Sequence, residues 1–337
     1  MKKKKICIIG AGWYGCHIGL YLKDKGHEIT IFEKEKNIFL GSSGYNQYRL
    51  HRGFHYPRSS ETIQEIKKNF TKFYSKYKNF VFFPKNNLYC IAKKKSLIDE
   101  KIYQLILKNH KLKFKKIKNH LLRNIEGVFI SNEGVIKNNK FIQYYKKKLK
   151  KNILFNKNIS NFNKIGKKYD YIIDCTNNTL VNRHYKKFNY ILTLSAVYKK
   201  RKNKIVFPIT IMDGKLPSLY PYSDVKNQYT LTHSKYTHIK KFKDVKNLNK
   251  FKKKQKPRTV LNIIKKMEKS LIYFYPDFKK NFIFQKYFFS YKVLPEESSD
   301  KRSIVIKKYK NIISCTSPKI INIFSFQEYL EKLLKKY

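Results

Sequence analysis

The chain has 337 residues, enough for a large buried core and for one to three domains. Apolar residues make up 42% and charged residues 29%, with 27 Tyr and 25 Phe, a content that excludes a disordered or low-complexity chain. The formal net charge of +54 comes with inflated Lys, Asn, Ile, Phe and Tyr and scarce Arg, Gly, Ala and Pro. It is therefore read as AT-rich codon bias spread along the chain, and nucleic acid is not an expected partner.

That bias makes clusters of scarce residues informative. Eight of the twelve Gly fall within the first 53 residues, and three of the eight Arg are Arg49, Arg52 and Arg58. The five cysteines (Cys7, Cys16, Cys90, Cys175, Cys315) are scattered, odd in number and without a CxxC pair. They point to neither a metal site nor a disulfide framework, and they fit a reducing, cytoplasmic setting. The basic start and apolar run over residues 6–22 resemble a signal peptide, but His17, three spaced glycines and the missing A-x-A cleavage pattern argue against one. No other run reaches the length of a membrane span.

The first element is a buried parallel strand over residues 5–9 (KICII). It runs into Gly10-Ala11-Gly12-Trp13-Tyr14-Gly15. Gly10 permits the tight turn, Gly12 lets a pyrophosphate approach the backbone, and Gly15 lets helix and strand pack closely. A helix over residues 13–25 points its free N–H groups at the phosphates and ends at Gly26. The second strand, 28–32, closes on Glu33, placed to hydrogen-bond the adenosine ribose, with Lys34 beside it. The carboxylate would repel a 2′-phosphate, which disfavours NADP. This βαβ unit by itself serves NAD and FAD equally.

Residues 41–59 read GSSGYNQYRLHRGFHYPRS, too polar and too rich in His and Arg for a core element. With the preceding βαβ unit, this run resembles the FAD-dependent oxidoreductases of the D-amino-acid oxidase/glycine oxidase superfamily. The resemblance is to a bacterial subgroup marked by N-Q-x-R-L-H-x-G-x-H-Y-P-R-S. It implies FAD as cofactor. It also implies flavin contacts from Ser42, Ser43, Asn46 and Gln47, and a substrate face formed by Arg49, His51, His55, Tyr56 and Arg58.

Further along, helical spacing predicts a helix over 61–77 capped by Ser59 or Ser60, and one from Ser96 as cap to about residue 109. A strand is predicted at 87–93, a helix at 141–149 and a short strand at 152–155. Residues 169–177 resemble the superfamily's returning strand, with Cys175 and Asn177 where Ala and Gly are common. By the same resemblance Ile159 meets the adenine and Thr176 the cofactor. Residues 190–234 are strand-rich with an Asp213-Gly214 turn, and Tyr220, Tyr222 and His233 are candidate pocket residues. The Lys-rich stretch 238–257 reads as a solvated loop or helix, followed by a helix at 259–273 and a strand at 282–293. Strands at 302–306 and 311–315 lead through Ser317, Pro318, Lys319 and Ile320 into a last helix. In the superfamily this turn lies under the flavin pyrimidine, with Lys319 balancing reduced flavin and Arg302 near substrate.

The expected fold class is α/β: a Rossmann-like FAD-binding domain with a second, antiparallel-sheet substrate domain, D-amino-acid oxidase-like. The FAD-binding domain is expected from 1–85, 138–185 and 296–337, and the substrate domain from 86–137 and 186–295. The expected activity is oxidation of a C–N or C–O bond of a small molecule (amino acid, amine, hydroxy acid or sugar derivative) by hydride transfer to flavin N5. Oxygen or another electron acceptor completes the cycle. Arg58 or Arg302 would anchor a substrate carboxylate bidentately. The rival readings are an RNA-modifying flavoprotein, a flavin-dependent sugar-modifying enzyme or isomerase, and a non-catalytic binding module.

Overall fold

The computed structural model describes residues 2–160, 162, 165, 168–180, 188–296, 304–317 and 319–335. Its first sheet has six strands in the order Val305–Tyr309, Ile312–Thr316, Tyr171–Asp174, Lys5–Ile9, Glu28–Phe32, Ile153–Leu154. All neighbours are parallel except the first pair, which forms an antiparallel edge. Lys5–Ile9 lies between the strand that follows it through the helix Trp13–Asp24 and the strand that returns from residue 171. The order reverses there, and α/β sheets bind ligands in the crevice beyond the carboxyl ends of strands at such a point.

Continuous apolar runs make these strands because both faces are covered. On one face Ile6, Ile8 and Ile31 pack with Ile18 and Leu22 of the first helix, Phe73 and Tyr77 of the helix Ser60–Tyr77, and Phe141 and Tyr145 of the helix Asn138–Leu149. Trp13 sits in this layer, its ring 4.3 Å from Phe141 and 5.0 Å from Phe39. Each such large apolar side chain contributes about 1.5–3 kcal/mol on burial. Cys7, Ile9 and Ile172 pack on the other face with Ile159 and Ile312.

The second sheet runs His238–Phe242, Phe188–Lys200, Gln228–His233, Pro217–Pro221, Ile209–Met212, Asn87–Ala92, Ile125–Ser131, Lys115–Ile117, with Phe282–Pro295 also paired to Phe188–Lys200. It is antiparallel but for one pair: Ile209–Met212 lies parallel to Asn87–Ala92, so the sheet is mixed rather than purely antiparallel. Val260, Ile264, Met267 and Leu271 form one stripe of the helix Pro257–Phe274 against Leu194, Leu219 and Leu231. A small third sheet joins Arg49–Leu50, Gly134–Ile136 and Val81–Phe82.

Two local expectations need correction. The helix Glu100–Asn109 is capped by Asp99, which accepts from Ile102 N at 2.7 Å, not by Ser96. Ser96 instead accepts from Asp213 N at 2.8 Å and donates to Ile98 O. A carboxylate one residue before the helix satisfies an orphan N–H more strongly than a hydroxyl four residues away. The Lys-rich stretch also holds an edge strand, His238–Phe242, before the helix Val245–Lys253. Lysines on an edge strand suit a position where further pairing must be blocked. No helix among the described residues is long and apolar enough to cross a membrane.

Candidate active site

The glycine turn is built around close approaches. Gly10 sits at φ +97° and donates to Phe32 O at 2.8 Å, which ties the end of the first strand to the end of the second. A Cβ on Gly12 would stand 2.8 Å from Ser43 Oγ. Gly12 caps the first helix without a side chain, and Ser43 Oγ accepts from Trp13 N at 3.0 Å. Glu33 is 8% exposed; it accepts from Ala11 N at 2.6 Å and from Glu35 N at 3.0 Å. The carboxylate thus braces the turn. A side-chain-free helix start beside a fixed carboxylate, in a cradle that a Cβ would fill, fits an adenine dinucleotide. Lys34 stands apart from this grip, exposed and 3.9 Å from Glu35, and Ile159 is half-buried under the sheet.

Across the crevice, Gly10 faces the Cys175 carbonyl, 3.1 Å from where its Cβ would be. Thr176 N donates to Asp174 at 2.8 Å, and Thr176 Oγ1 accepts from Thr179 N and Leu180 N. Asp174 is buried, and burial pushes its carboxyl from 3.8 up to about 6, against the lowering effect of the Thr176 bonds. The native state therefore holds this proton more tightly than the unfolded chain, so stability falls as pH rises from 3.8 through about 6 and then levels. Asp174→Asn keeps the acceptor for Thr176 and is expected to stabilise the chain above that window by up to about 3 kcal/mol, with no gain near pH 3. Urea midpoints at the two pH values check this; equal midpoints at neutral pH refute it.

The loop after Glu33 frames itself. Ser42–Gly44 is a 3-10 turn, Asn46 Nδ2 donates to Ser42 O and Ser43 O, and Asn46 Oδ1 accepts from Tyr48 N. Ser42 Oγ donates to Tyr291 O at 3.0 Å, and Gln47 Nε2 reaches Thr230 Oγ1 at 3.4 Å. This loop therefore bridges the first sheet to the second. Tyr222 stacks on Phe288 at 5.7 Å and lies 5.5 Å from Tyr48, beside a cleft of about 220 Å³ between Phe39 and Val225.

Beyond the loop a cationic and aromatic cluster forms. The rings of His51, His55 and Tyr56 lie 5.2–5.3 Å apart in each pairing, and Lys319 Nζ stands 4.7 Å over Tyr56. Tyr14 Oη donates to Lys319 O at 2.7 Å, joining the first turn of the helix Trp13–Asp24 to this cluster. Ser317 Oγ accepts from Lys319 N at 3.3 Å. Ile320 opens a single 3-10 turn, and the last helix proper is Ile323–Lys335, so it begins later than the sequence pattern indicates. Burial pulls the His51 imidazole below its usual range, outweighing the pull of Glu133 in the other direction. His51 is therefore neutral at pH 7.

Four expected site residues are engaged within the protein itself: Arg49, Tyr220, Arg58 and His233. Arg49 is not open to ligand at its ends: it is buried, with Nη1 donating to Tyr89 Oη and Thr210 Oγ1, Nη2 to Ser218 Oγ, and its plane 3.9 Å over the Tyr220 ring. Tyr220 is fully buried; its hydroxyl donates to Gly134 O and accepts from Asn87 Nδ2. Arg58 is half-exposed and ion-paired with Asp213. Arg302 lies outside the described residues. His233 is bonded to Ser270 in the second sheet's own core. The sequence reading missed Glu133, which is fully buried, accepts from Arg52 N and Tyr89 Oη, and has an oxygen 3.2 Å from His51 Nδ1. Burial pushes this carboxyl up, but His51, Arg49 and Tyr89 outweigh it and hold it below the usual range. Its signal was available: acids number only 22 in a chain with 76 Lys and Arg, so an acid between two apolar strands stands out.

Comparison with known proteins gives this geometry a family. The FAD dependent oxidoreductase family, DAO, matches residues 5–309. The chain is 27% identical to the FAD-dependent monooxygenase FPY4 of Fusarium mangiferae, over 97% of this chain and 90% of that protein. An 85-residue stretch, 25% of this chain, is 40% identical to the FAD-dependent monooxygenase kojA of Aspergillus flavus and spans 20% of that protein. Among solved structures the fold is similar to L-alpha-glycerophosphate oxidase from Mycoplasma pneumoniae with FAD bound, with TM-score 0.69 and 13% identity over 99% of this chain and 95% of that one. It is also similar to glycine oxidase from Geobacillus kaustophilus, with TM-score 0.68 and 9% identity over 96% and 91%. The family match spans nearly all of both sheets, and the glycine turn it requires is intact: the chain belongs to the DAO family of FAD-dependent oxidoreductases, and its cofactor is FAD.

Proposed function

We propose that this enzyme oxidises a C–N or C–O bond of a small molecule by hydride transfer to flavin N5, and that the His51–His55–Tyr56–Lys319 cluster is its substrate face. The observation that carries this reading is the chain of contacts from Tyr14, at the start of the first helix, to Lys319 O, and from Lys319 Nζ over Tyr56 to the His51 and His55 rings. Bound FAD supplies the hydride acceptor. Glu33, Ser43 and the helix start hold the dinucleotide, while Ser42, Asn46 and Gln47 shape the loop that spans the two sheets. Neutral His51 can accept a proton from a substrate amine or hydroxyl as its C–H bond breaks. Buried Arg49 supplies positive potential beneath the site rather than a direct clamp. Within the family we place the chain in the subgroup marked by the run at 46–59, and in a reducing compartment.

The test is anaerobic: FAD-loaded protein is offered amino acids, hydroxy acids, amines and sugar derivatives, and loss of flavin absorbance is followed. One class is expected to bleach the flavin without any nicotinamide cofactor. A second reading is favoured by the relatives named as monooxygenases, one of which aligns over 97% of the chain. It requires that only NADH or NADPH bleach the flavin, and that labelled oxygen enter the product. That result, with the whole substrate panel inert, would replace hydride abstraction from substrate.

A further inference from the structure

We infer that Glu133 is a positioning residue: it fixes His51 with the proton on Nδ1 and so presents Nε2 to the substrate face as a bare acceptor. The inference rests on the reading of His51 as part of that face. Its origin lies in strand register. The third sheet pairs Leu50 with Gly134 in antiparallel register, so the next residue outward on each strand, His51 and Glu133, also come opposite each other. His51 Nδ1 stands 3.2 Å from Glu133 Oε2.

The carboxylate has a further reason to be there and a fixed orientation. Glu133 lies in the two-residue link between Ile125–Ser131 of the large sheet and Gly134–Ile136 of the small one. Oε1 accepts from Arg52 N at 2.9 Å, and Oε2 accepts from Tyr89 Oη on one side and meets His51 Nδ1 on the other. Tyr89 in turn accepts from Arg49 Nη1 at 3.2 Å. Arg52 N and Tyr89 Oη donate to the carboxylate, which is held below its usual range, so it is ionised and can only accept from the ring beside it. A neutral imidazole beside an accepting carboxylate must carry its proton on the near nitrogen. Loss of the carboxylate therefore alters more than packing: it removes the constraint on which ring nitrogen faces the ligand.

Nitrogen NMR of isotopically labelled histidine in the FAD-loaded enzyme, with His51 assigned by its replacement, reads this directly. The wild-type ring is expected to show a protonated Nδ1 and a bare Nε2 at neutral pH. A proton on Nε2 instead would overturn the inference even if no Glu133 variant folds. Glu133→Gln offers one acceptor oxygen to three donors. It is expected to shift the His51 ring toward the Nε2–H form and to lower kcat/KM on the order of tenfold with FAD content unchanged. Glu133→Asp, which keeps the charge, is expected to restore the Nδ1–H form and part of the activity. A folded Glu133→Gln enzyme with the wild-type tautomer would refute the positioning role. Because the tautomer needs no turnover, failure of the proposed reaction leaves this measurement standing, and the reverse holds as well.

Discussion

Gly15→Ala is expected to give a protein that purifies without flavin. A Cβ at position 15 would stand 1.8 Å from the Gly10 carbonyl oxygen and 3.0 Å from the carbonyl carbon. Neither atom belongs to a flexible side chain, so the helix start must move away from the turn by more than an ångström. Gly10 has little freedom to yield. It is held by its N–H bond to Phe32 O, by the Cys175 carbonyl on its other side and by a left-handed φ. Relaxation therefore falls on the first helical turn, where Trp13 N meets Ser43 and Tyr14 reaches Lys319. Overpacking of this kind costs about 3 kcal/mol or more, which as lost binding is roughly a hundredfold in FAD affinity. Gly41→Ala is the control: no atom of the described residues lies within 4 Å of its Cβ position and its φ is ordinary. The ratio of flavin to protein absorbance after purification, and titration of FAD into each apoprotein, decide the matter. Full flavin occupancy in Gly15→Ala would remove the close approach as the reason for this glycine.

The contrast between what the sequence shows and what it hides follows from the range of each interaction. The glycine turn, its helix and Glu33 are legible because strand, turn, helix and acid occupy one 29-residue stretch with fixed spacing. Even there the sequence predicts only the ribose contact, whereas the carboxylate also accepts from Ala11 N, 22 residues back along the chain. The polar run at 41–59 stands out by its composition as a candidate site, but the contacts within it are not legible. His51 and Arg58 look equivalent in the string. They part because the register of Arg49–Leu50 carries His51 onto buried Glu133, while Arg58 reaches the exposed side and Asp213. Those partners lie 82 and 155 residues away in sequence, beyond any local pattern. Arg49 illustrates the same limit. A rare arginine in this polar run reads as part of a substrate face, whereas Tyr89, Thr210 and Ser218, from three strands of the other sheet, accept from its terminal nitrogens. Edge strand His238–Phe242 was hidden for a different reason: five residues carrying two lysines lack the two-fold alternation that marks a strand, and pairing with Phe188–Lys200 supplies what propensity does not.

Acidification from pH 6.5 downward is expected to remove more stability through His17 than through any other histidine among the described residues, and His17→Gln should flatten that loss. His17 lies on the first helix with no exposed surface, its Nδ1 2.7 Å from Tyr77 Oη and its Nε2 2.9 Å from Gln327 Oε1. Three helices thus meet through one ring: Trp13–Asp24, Ser60–Tyr77 and Ile323–Lys335. Burial, aided by the Lys76 charge and only partly countered by Gln327, pulls the imidazole from 6.5 down to about 3. The unfolded chain therefore takes up a proton that the native chain refuses. The contribution is complete above pH 6.5 and is lost progressively as pH falls toward 3, amounting to as much as about 5 kcal/mol. Glutamine cannot bond Tyr77 and Gln327 with the same geometry, so His17→Gln should be less stable at neutral pH by about 1 kcal/mol, the size of one hydrogen bond. Below pH 6.5 the variant lacks the protonation penalty, and its denaturation midpoint should fall less steeply and cross that of the wild type. Carboxylates such as Glu133, held below their usual range, lose stability in acid equally in both proteins, so the difference between the two curves isolates His17. Parallel curves across this window would mean that the ring is protonated in place, with the helix junction opening to let it happen.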